Sequence, residues 1–409
     1  MDAPIQTRCC IVGGGPAGVM LGFLLARAGV EAVVLEKHAD FLRDFRGDTI
    51  HPSTLELMYE LGLLEEFLQR PHQEIRELGG NVGGKSFILA DLSHLPTHCR
   101  FVAFMPQWDF LNFLVEQGRR YPGFRVEMQA EATGLIEENG RVAGVQFKTP
   151  EGPREVRADL VVGADGRHSV VRACAGLQVI DLGAPMDVMW MRLSRRPEDP
   201  GQVLGYIDRG RILVMLNRGD HWQCAYVIPK GAGEEVRARG LPSFREEIVK
   251  FVPFLGDRVE ELRDWNQVSL LSVAVDRLLR WWRPGLLCIG DAAHAMSPIG
   301  GVGINLAIQD AVAAANILGP TLLRGAPGWR ELRAVQVRRT FPTRAMQRLQ
   351  IFIQNRVIRH ILGSTEPLTI AFPFTLFARY PWLRRIPASI IGLGFRPEHI
   401  ALPASNPPR

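Results

Sequence analysis

Strand-like runs, each closed by a glycine, recur three times in this chain: the β-type run Ile5 to Val12 and the short apolar runs Leu160 to Val162 and Leu286 to Ile289. They are too short for buried helices, so they predict central strands. Helical spacing follows the first and third, through Leu21 to Ala28 and from about Ile304, while Ala32 to Glu36 reads as a further strand with an acidic end. Trp108 to Arg119, opened by Gln107, is a helical stretch. The texture changes between Gln178 and Asp276. Met186 to Leu193, Gln202 to Asp208, Arg211 to Asn217 and Trp222 to Ile228 alternate apolar and polar positions, with turn residues at Arg209-Gly210 and Gly219-Asp220, and predict an antiparallel sheet. Ser243 to Phe251 interrupts it as a helix. A long helical pattern from Trp329 to His360 precedes a proline-broken tail, Ile361 to Arg409.

The loops after the three strands carry the candidate chemistry. Gly13-Gly-Gly15-Pro16-Ala17-Gly18 fits G-x-G-x-x-G between a strand and a helix, with Glu36 ending the next strand. Glycines there allow a tight turn and close approach to a pyrophosphate, and the carboxylate accepts from a ribose. Gly163-Ala-Asp165-Gly166 follows the second strand. Gly290-Asp291 follows the third and leads through Pro298, Gly300, Gly301 and Gly303 into a helix whose positive dipole end suits an electron-rich ring. One long cofactor can use all three loops only if the strands are parallel neighbours. A competing motif, Gly79-Gly-Asn-Val-Gly-Gly84-Lys85-Ser86, satisfies the P-loop pattern, but the strand-like Phe87 to Leu92 that follows predicts a glycine-rich hairpin instead.

Composition narrows the class. With 409 residues and 46% hydrophobic content, the chain allows two or three domains with a large core. No apolar stretch reaches the ~18 residues of a membrane span, and Met1-Asp-Ala-Pro lacks a signal core. Six cysteines without a C-x-x-C read as reduced, mostly buried thiols of a cytoplasmic protein. From Trp329 onward all basic side chains are arginine, against only Glu331, Glu366 and Glu398. A helical extension with a solvated arginine face is the expectation; contact with a membrane surface or an oligomer interface is the less favoured one. Nucleic-acid binding is not expected.

These three motifs in this order resemble the FAD-dependent aromatic hydroxylases of the p-hydroxybenzoate hydroxylase type, over about residues 5 to 320. The resemblance implies an α/β fold: a Rossmann-like FAD-binding domain with a parallel sheet (residues 1–75, 98–177 and 277–345), an antiparallel β-sheet substrate domain (76–97 and 178–276) and a C-terminal helical extension (346–409). FAD would be the cofactor. Gly13, Gly15, Pro16 and Ala17 would line its pyrophosphate, and Glu36, with Lys37 beside it, its ribose. Arg46, Gln107 and Ala132 would reach the cofactor further along. Asp165 would serve it indirectly, Gly290 and Asp291 would hold the ribityl chain, and Pro298, Gly301, Gly303, Ile304 and Asn305 would surround the flavin pyrimidine edge.

The implied reaction is hydroxylation of an aromatic or enolic substrate with NADPH or NADH and O2, through a C4a-hydroperoxyflavin, with no metal. Alternatives are a reductase of the geranylgeranyl type, a non-catalytic FAD-binding protein, and a flavin halogenase, for which neither W-x-W-x-I-P nor an active-site lysine is found. Substrate residues are less legible. Tyr206 and His51 are candidate catalytic groups, His294 is a lesser one, and Tyr206, Met215, Gln223 and Tyr226 are candidate pocket positions. Leu216 and Arg218 stand where a benzoate-gripping pair would be expected, which favours a larger, more apolar small molecule over a benzoate.

Overall fold

The computed structural model describes residues 3–42, 49–200, 204–368 and 374–405. Its larger sheet has eight strands. Six run in the order Trp282–Arg283, Leu286–Cys288, Gly152–Gly163, Ile5–Val12, Ala32–Leu35 and Phe124–Glu127, and the hairpin Glu131–Glu138 and Arg141–Thr149 extends the first half of Gly152–Gly163. The strands before the three loops are parallel neighbours: Val12 lies opposite Gly163, and Gly163 opposite Cys288. Parallel strands need both faces covered, which explains why Cys9 to Val12 and Leu286 to Ile289 are almost entirely buried. Helix Pro16–Arg27 is buried from Ala17 through Ala26, and it packs against helix Gly303–Leu322. That second helix is long and apolar enough to cross a membrane, yet 72% of its apolar window is buried in the protein. It is a core helix.

The smaller sheet has seven strands, ordered Ser269–Leu271, Met186–Ser194, His221–Pro229, Arg211–Asn217, Leu204–Asp208, Glu77–Val82 and Lys85–Asp91. Every pairing is antiparallel except that of Leu204–Asp208 with Glu77–Val82, a departure from the antiparallel expectation. Gln202 and Val203 lie outside the described residues. The P-loop lookalike is a hairpin, closed by Gly83 and Gly84 at φ 53° and 82°, where Asn81 Oδ1 accepts from Gly84 N at 2.9 Å. Helix Leu241–Phe251 covers one face of this sheet through Phe244 and Ile248.

The long arginine-rich helix is Trp329–Ile353, continued by a wide turn over Gln354–Ile358 and a last turn at Arg359–Leu362. The tail then folds back along the smaller sheet and the core helix. Helix Arg385–Gly392 packs on strand Lys85–Asp91, and Ala401 and Leu402 donate their N–H groups to Asn316 Oδ1 at 3.0 and 3.1 Å. Five of the six cysteines are buried free thiols, and burial pushes Cys10 up to about 12.

Candidate cofactor and substrate site

The parallel register brings Gly13, Ala164 and Gly290 out of the sheet side by side. Gly13 has φ 108°, and a Cβ there would stand 2.4 Å from Ala164 O, so only glycine fits between the first and second loops. Gly290 joins the third: a Cβ added to it would stand 3.2 Å from the Cβ atoms of both Ala17 and Ala307. A Cβ on Gly15, by contrast, would meet none of the described residues within 4 Å. Among these, Gly15 therefore borders open space at the start of helix Pro16–Arg27, where no cap side chain answers the first-turn N–H groups. Helix Gly303–Leu322 also begins without a side-chain cap, after Gly300 and Gly301 at φ 78° and 62°. Two helix starts thus offer backbone donors and positive dipole ends.

Side chains around the loops divide between holding the backbone and facing the opening. Glu36, 9% exposed, accepts from Gly14 N at 2.9 Å through Oε2 and from His38 N at 3.1 Å through Oε1. Asp165 binds inward: Ser169 Oγ donates to Oδ1 at 2.5 Å and Val171 N to Oδ2 at 3.1 Å. Burial pushes its carboxyl up against those bonds. Asn305 also works by its side chain, accepting from His51 N at 2.9 Å and Thr54 Oγ1 at 2.7 Å and donating to Thr49 O at 3.2 Å. Thr49 in turn donates to Gly301 O at 2.9 Å. Segment Thr49–Thr54 is thereby pinned to the glycine loop.

The remaining sequence candidates fall at several places. Asp291 sits half-buried in the turn Gly290–Ala292, and Pro298 and Ile304 flank the glycine loop. Gln107 opens helix Gln107–Gly118, and Ala132 is buried on strand Glu131–Glu138, opposite Phe147. Lys37 is exposed and lines a surface depression with Gln129, Glu131 and Lys148. Arg46 lies outside the described residues.

His51 is a correction. It is 1% exposed, and its Nδ1 lies 2.6 Å from Ile391 O; a carbonyl only accepts, so Nδ1 carries the hydrogen. Burial lowers its pKa to about 4, which leaves a ring that is neutral near neutral pH and tied to the C-terminal helix through Nδ1.

The sheet strands correct the pocket expectation too. Alternation puts Tyr206, Met215 and Tyr226 on the face beneath helix Leu241–Phe251. Tyr226 donates its hydroxyl to Glu247 Oε1 at 3.0 Å, and burial raises its pKa; Tyr206 packs between Phe251 and Phe254. The opposite face carries Trp190, Ile207, Ile212, Val214, Ala225 and Val227, in one cluster with Ile299 of the glycine loop and Val357 and Ile361 of the C-terminal extension. Gln223 alternates onto that face, where Arg218 Nε donates to its Oε1 at 3.0 Å. Of the four pocket candidates, Gln223 alone is on the glycine-loop side. Sequence alternation carries a period but not its phase relative to a ligand.

A buried ionic chain beneath the glycine loop was not read from the sequence. Asp310 Oδ2 accepts from Gly290 N at 3.0 Å and lies 2.5 Å from His294 Nε2, while Arg339 Nε donates to Oδ1 at 2.8 Å. Arg339 Nη1 continues to Glu398 Oε1 at 3.2 Å, which also accepts from Arg338 Nε at 2.7 Å. Burial alone would raise the Asp310 carboxyl, but His294 and Arg339 outweigh it and hold it below the usual carboxylate value. His294 is thus a buried hydrogen-bonding anchor at 1% exposure. The one signal in the sequence was Asp310, the single charged residue of that helix.

This geometry, with three glycine-bearing loops on adjacent parallel strands beside a separate mixed sheet, is that of a flavin-dependent hydroxylase. A profile of the FAD binding domain family matches residues 6–349, and the chain belongs to the FAD-dependent aromatic hydroxylase family. It is 36% identical to 6-methylpretetramide 4-monooxygenase of Streptomyces rimosus over 356 residues, 86% of this chain and 84% of that protein. It is 27% identical over 331 residues to the uncharacterized aromatic compound monooxygenase YhjG of Bacillus subtilis, of whose length it spans only 64%. Among solved structures, PqsL, a probable FAD-dependent monooxygenase from Pseudomonas aeruginosa, superimposes with a TM-score of 0.72 at 24% identity, covering 88% of this chain and 98% of that one. p-Nitrophenol 4-monooxygenase PnpA from Pseudomonas putida gives a TM-score of 0.74 at 20% identity over 96% and 100% of the two chains.

The protein is an FAD-dependent monooxygenase. The space beside Gly15 and the two helix starts without side-chain caps, among the described residues, fit the pyrophosphate and flavin of FAD. When bound, FAD supplies the redox and oxygen chemistry, and the protein binds, orients and excludes water.

Proposed function

We propose that this enzyme hydroxylates a polycyclic or similarly apolar phenolic substrate, held between the smaller sheet and the glycine loop, with NADPH or NADH as reductant and O2 as oxidant. The observation that carries this reading is the face shared by Val214, Ala225, Val227 and Ile299, an apolar layer with Gln223 and Arg218 at one edge. Such a layer suits a ring system rather than a small carboxylate. Two relatives are named for tetracycline-type substrates, 6-methylpretetramide and anhydrotetracycline, which supports the same class.

Gly13, Gly15, Pro16 and Ala17 would bind the FAD pyrophosphate, Glu36 with Lys37 the ribose end, and Gly290 and Asp291 the ribityl chain. Gly303, Ile304 and Asn305 would present backbone donors to the pyrimidine edge, favouring negative charge there. Arg46, Gln107 and Ala132 would complete the cofactor contacts, with Asp165 shaping its loop. Gln223 and Arg218 would orient a substrate hydroxyl or carbonyl. The setting for this reaction would be the cytoplasm.

The test is NAD(P)H oxidation in air by the FAD-loaded protein across single-ring and fused-ring phenols, with hydrogen peroxide quantified. Fused-ring phenols should accelerate donor oxidation without matching peroxide and yield a product one oxygen heavier. Acceleration confined to single-ring benzoates would overturn the substrate class.

A further inference from the structure

We propose that the outward face of helix Trp329–Ile353, together with the turn Tyr380–Ile386, docks on an anionic phospholipid bilayer. This goes beyond the hydroxylase reading and does not depend on it. The exposed positions Arg330, Arg333, Val337, Phe341, Arg344, Arg348 and Phe352 recur every three or four residues and form one stripe on a helix of about 37 Å at 1.5 Å per residue. The opposite stripe, through Leu332, Val335, Met346 and Gln350, is buried in the protein, so the exposed stripe is not needed for packing.

The exposed stripe is apolar as well as basic. Val337, Phe341 and Phe352 are each about 60% exposed. The C-terminal segment lies beside this helix: Ile390 packs on its buried side in one cluster with Met346 and Leu349, and Phe395 meets Phe341 of the exposed stripe at 6.5 Å. Ile386 and Trp382, one and two turns before Ile390, are 55% and 61% exposed. Tryptophan, phenylalanine and arginine on one helical surface are the side chains that settle at the headgroup level of a bilayer.

The charge is one-sided. Residues 329–409 contain thirteen of the 48 basic residues and three of the 43 acidic ones, so the other 328 residues carry a net charge of −5. Of those three acids, Glu398 is buried on Arg338 and Arg339. Arg330, Arg333, Arg344, Arg348, Arg379 and Arg385 form no salt bridge among the described residues. Arg277, held on Gln347 Oε1 at 3.2 Å, adds another cation beside Arg344 and Arg348. A second copy of the chain fits poorly, because a two-fold contact would set arginine against arginine. A negatively charged lipid surface matches both the charge and the aromatic side chains.

The test is co-sedimentation of the FAD-loaded full chain with vesicles of phosphatidylcholine alone or mixed with phosphatidylglycerol. Binding should be at least ~10-fold stronger to the mixed vesicles at low salt and should fall toward the neutral level at high salt. Arg344→Gln with Arg348→Gln should lower it several-fold, and Trp382→Ser should lower it at unchanged charge, both with full flavin content and thermal stability. Should Arg344→Gln with Arg348→Gln prove unstable, Arg330→Gln with Arg333→Gln reads the same charge. Equal binding to both vesicle types, no binding to either, indifference to these substitutions, or a stable dimer that buries the stripe would overturn the proposal.

Discussion

The cofactor cradle and the smaller sheet are built from equally regular strands, yet they specify their ligands in different ways. In the cradle the cofactor would be met by backbone. Gly13 is fixed by the collision that any Cβ would make with Ala164 O, and Gly290 by its φ of 59°, with Ala17 and Ala307 close by at 3.2 Å. In the sheet the proposed substrate would be met by side chains, whose identity is far freer: Val214, Ala225 and Val227 need only be apolar and of suitable volume. Constraint by backbone leaves a motif, whereas constraint by shape leaves little trace.

Substitutions can break this comparison. The largest effect should come from Gly13→Val, which adds about 1–3 kcal/mol of backbone strain and a side chain pointed at Ala164 O. The expected product is a chain without bound flavin, read from the flavin absorbance per chain; full flavin content would mean that the loop is not the cradle. Arg339→Met should come next. It strips a 1% exposed partner from Asp310 and Glu398, and breaking one side of a buried pair costs about 3–5 kcal/mol. Thermal unfolding should move well below that of the parent, while Glu398→Gln should move it less.

His51 sets a pH dependence of intermediate size. Its folded pKa of about 4 lies below the unfolded value of ~6.5, so its stabilising share is complete above pH ~6.5 and is lost progressively down to about pH 4. The loss amounts to up to about 3 kcal/mol, and His51→Gln should flatten that part of the stability profile. An unchanged slope would place the acid sensitivity elsewhere. Asp310 acts lower, because its depressed carboxyl loses its contribution only as the pH falls below the ordinary carboxylate value.

Smaller effects separate the two faces of the sheet. Ala225→Phe, on the glycine-loop side, should raise KM for a fused-ring phenol by about tenfold, or ~1.4 kcal/mol. Tyr226→Phe, on the far side, should cost only the hydrogen bond to Glu247, about 0.5–1.5 kcal/mol of stability, with KM unchanged. The reverse pattern in steady-state kinetics would put the pocket under helix Leu241–Phe251.

Much of the frame was legible in the sequence. Strand Arg211–Asn217 has the expected limits, and the P-loop lookalike is the expected hairpin. Tyr206, Met215 and Tyr226 were misplaced because the alternating pattern is the same whichever face meets the ligand. His51 was misread because nothing near it in sequence announces the carbonyl of Ile391, 340 residues away. The chain His294, Asp310, Arg339 and Glu398 was missed for the same reason: its members are spread over more than a hundred residues, and each alone resembles an ordinary polar residue.

Local order and chemistry follow from neighbouring residues. A short β-type or apolar run closed by Gly13, Gly163 or Gly290 makes a strand and a turn wherever it lies, because φ restrictions and burial act over a few residues. Convergence is of another kind. That three turns open side by side, that Arg339 reaches Asp310, and that the arginine stripe faces outward depend on parallel register and on packing between distant segments. Those long-range contacts arise from the close packing of the whole core, and no local stretch of sequence encodes them.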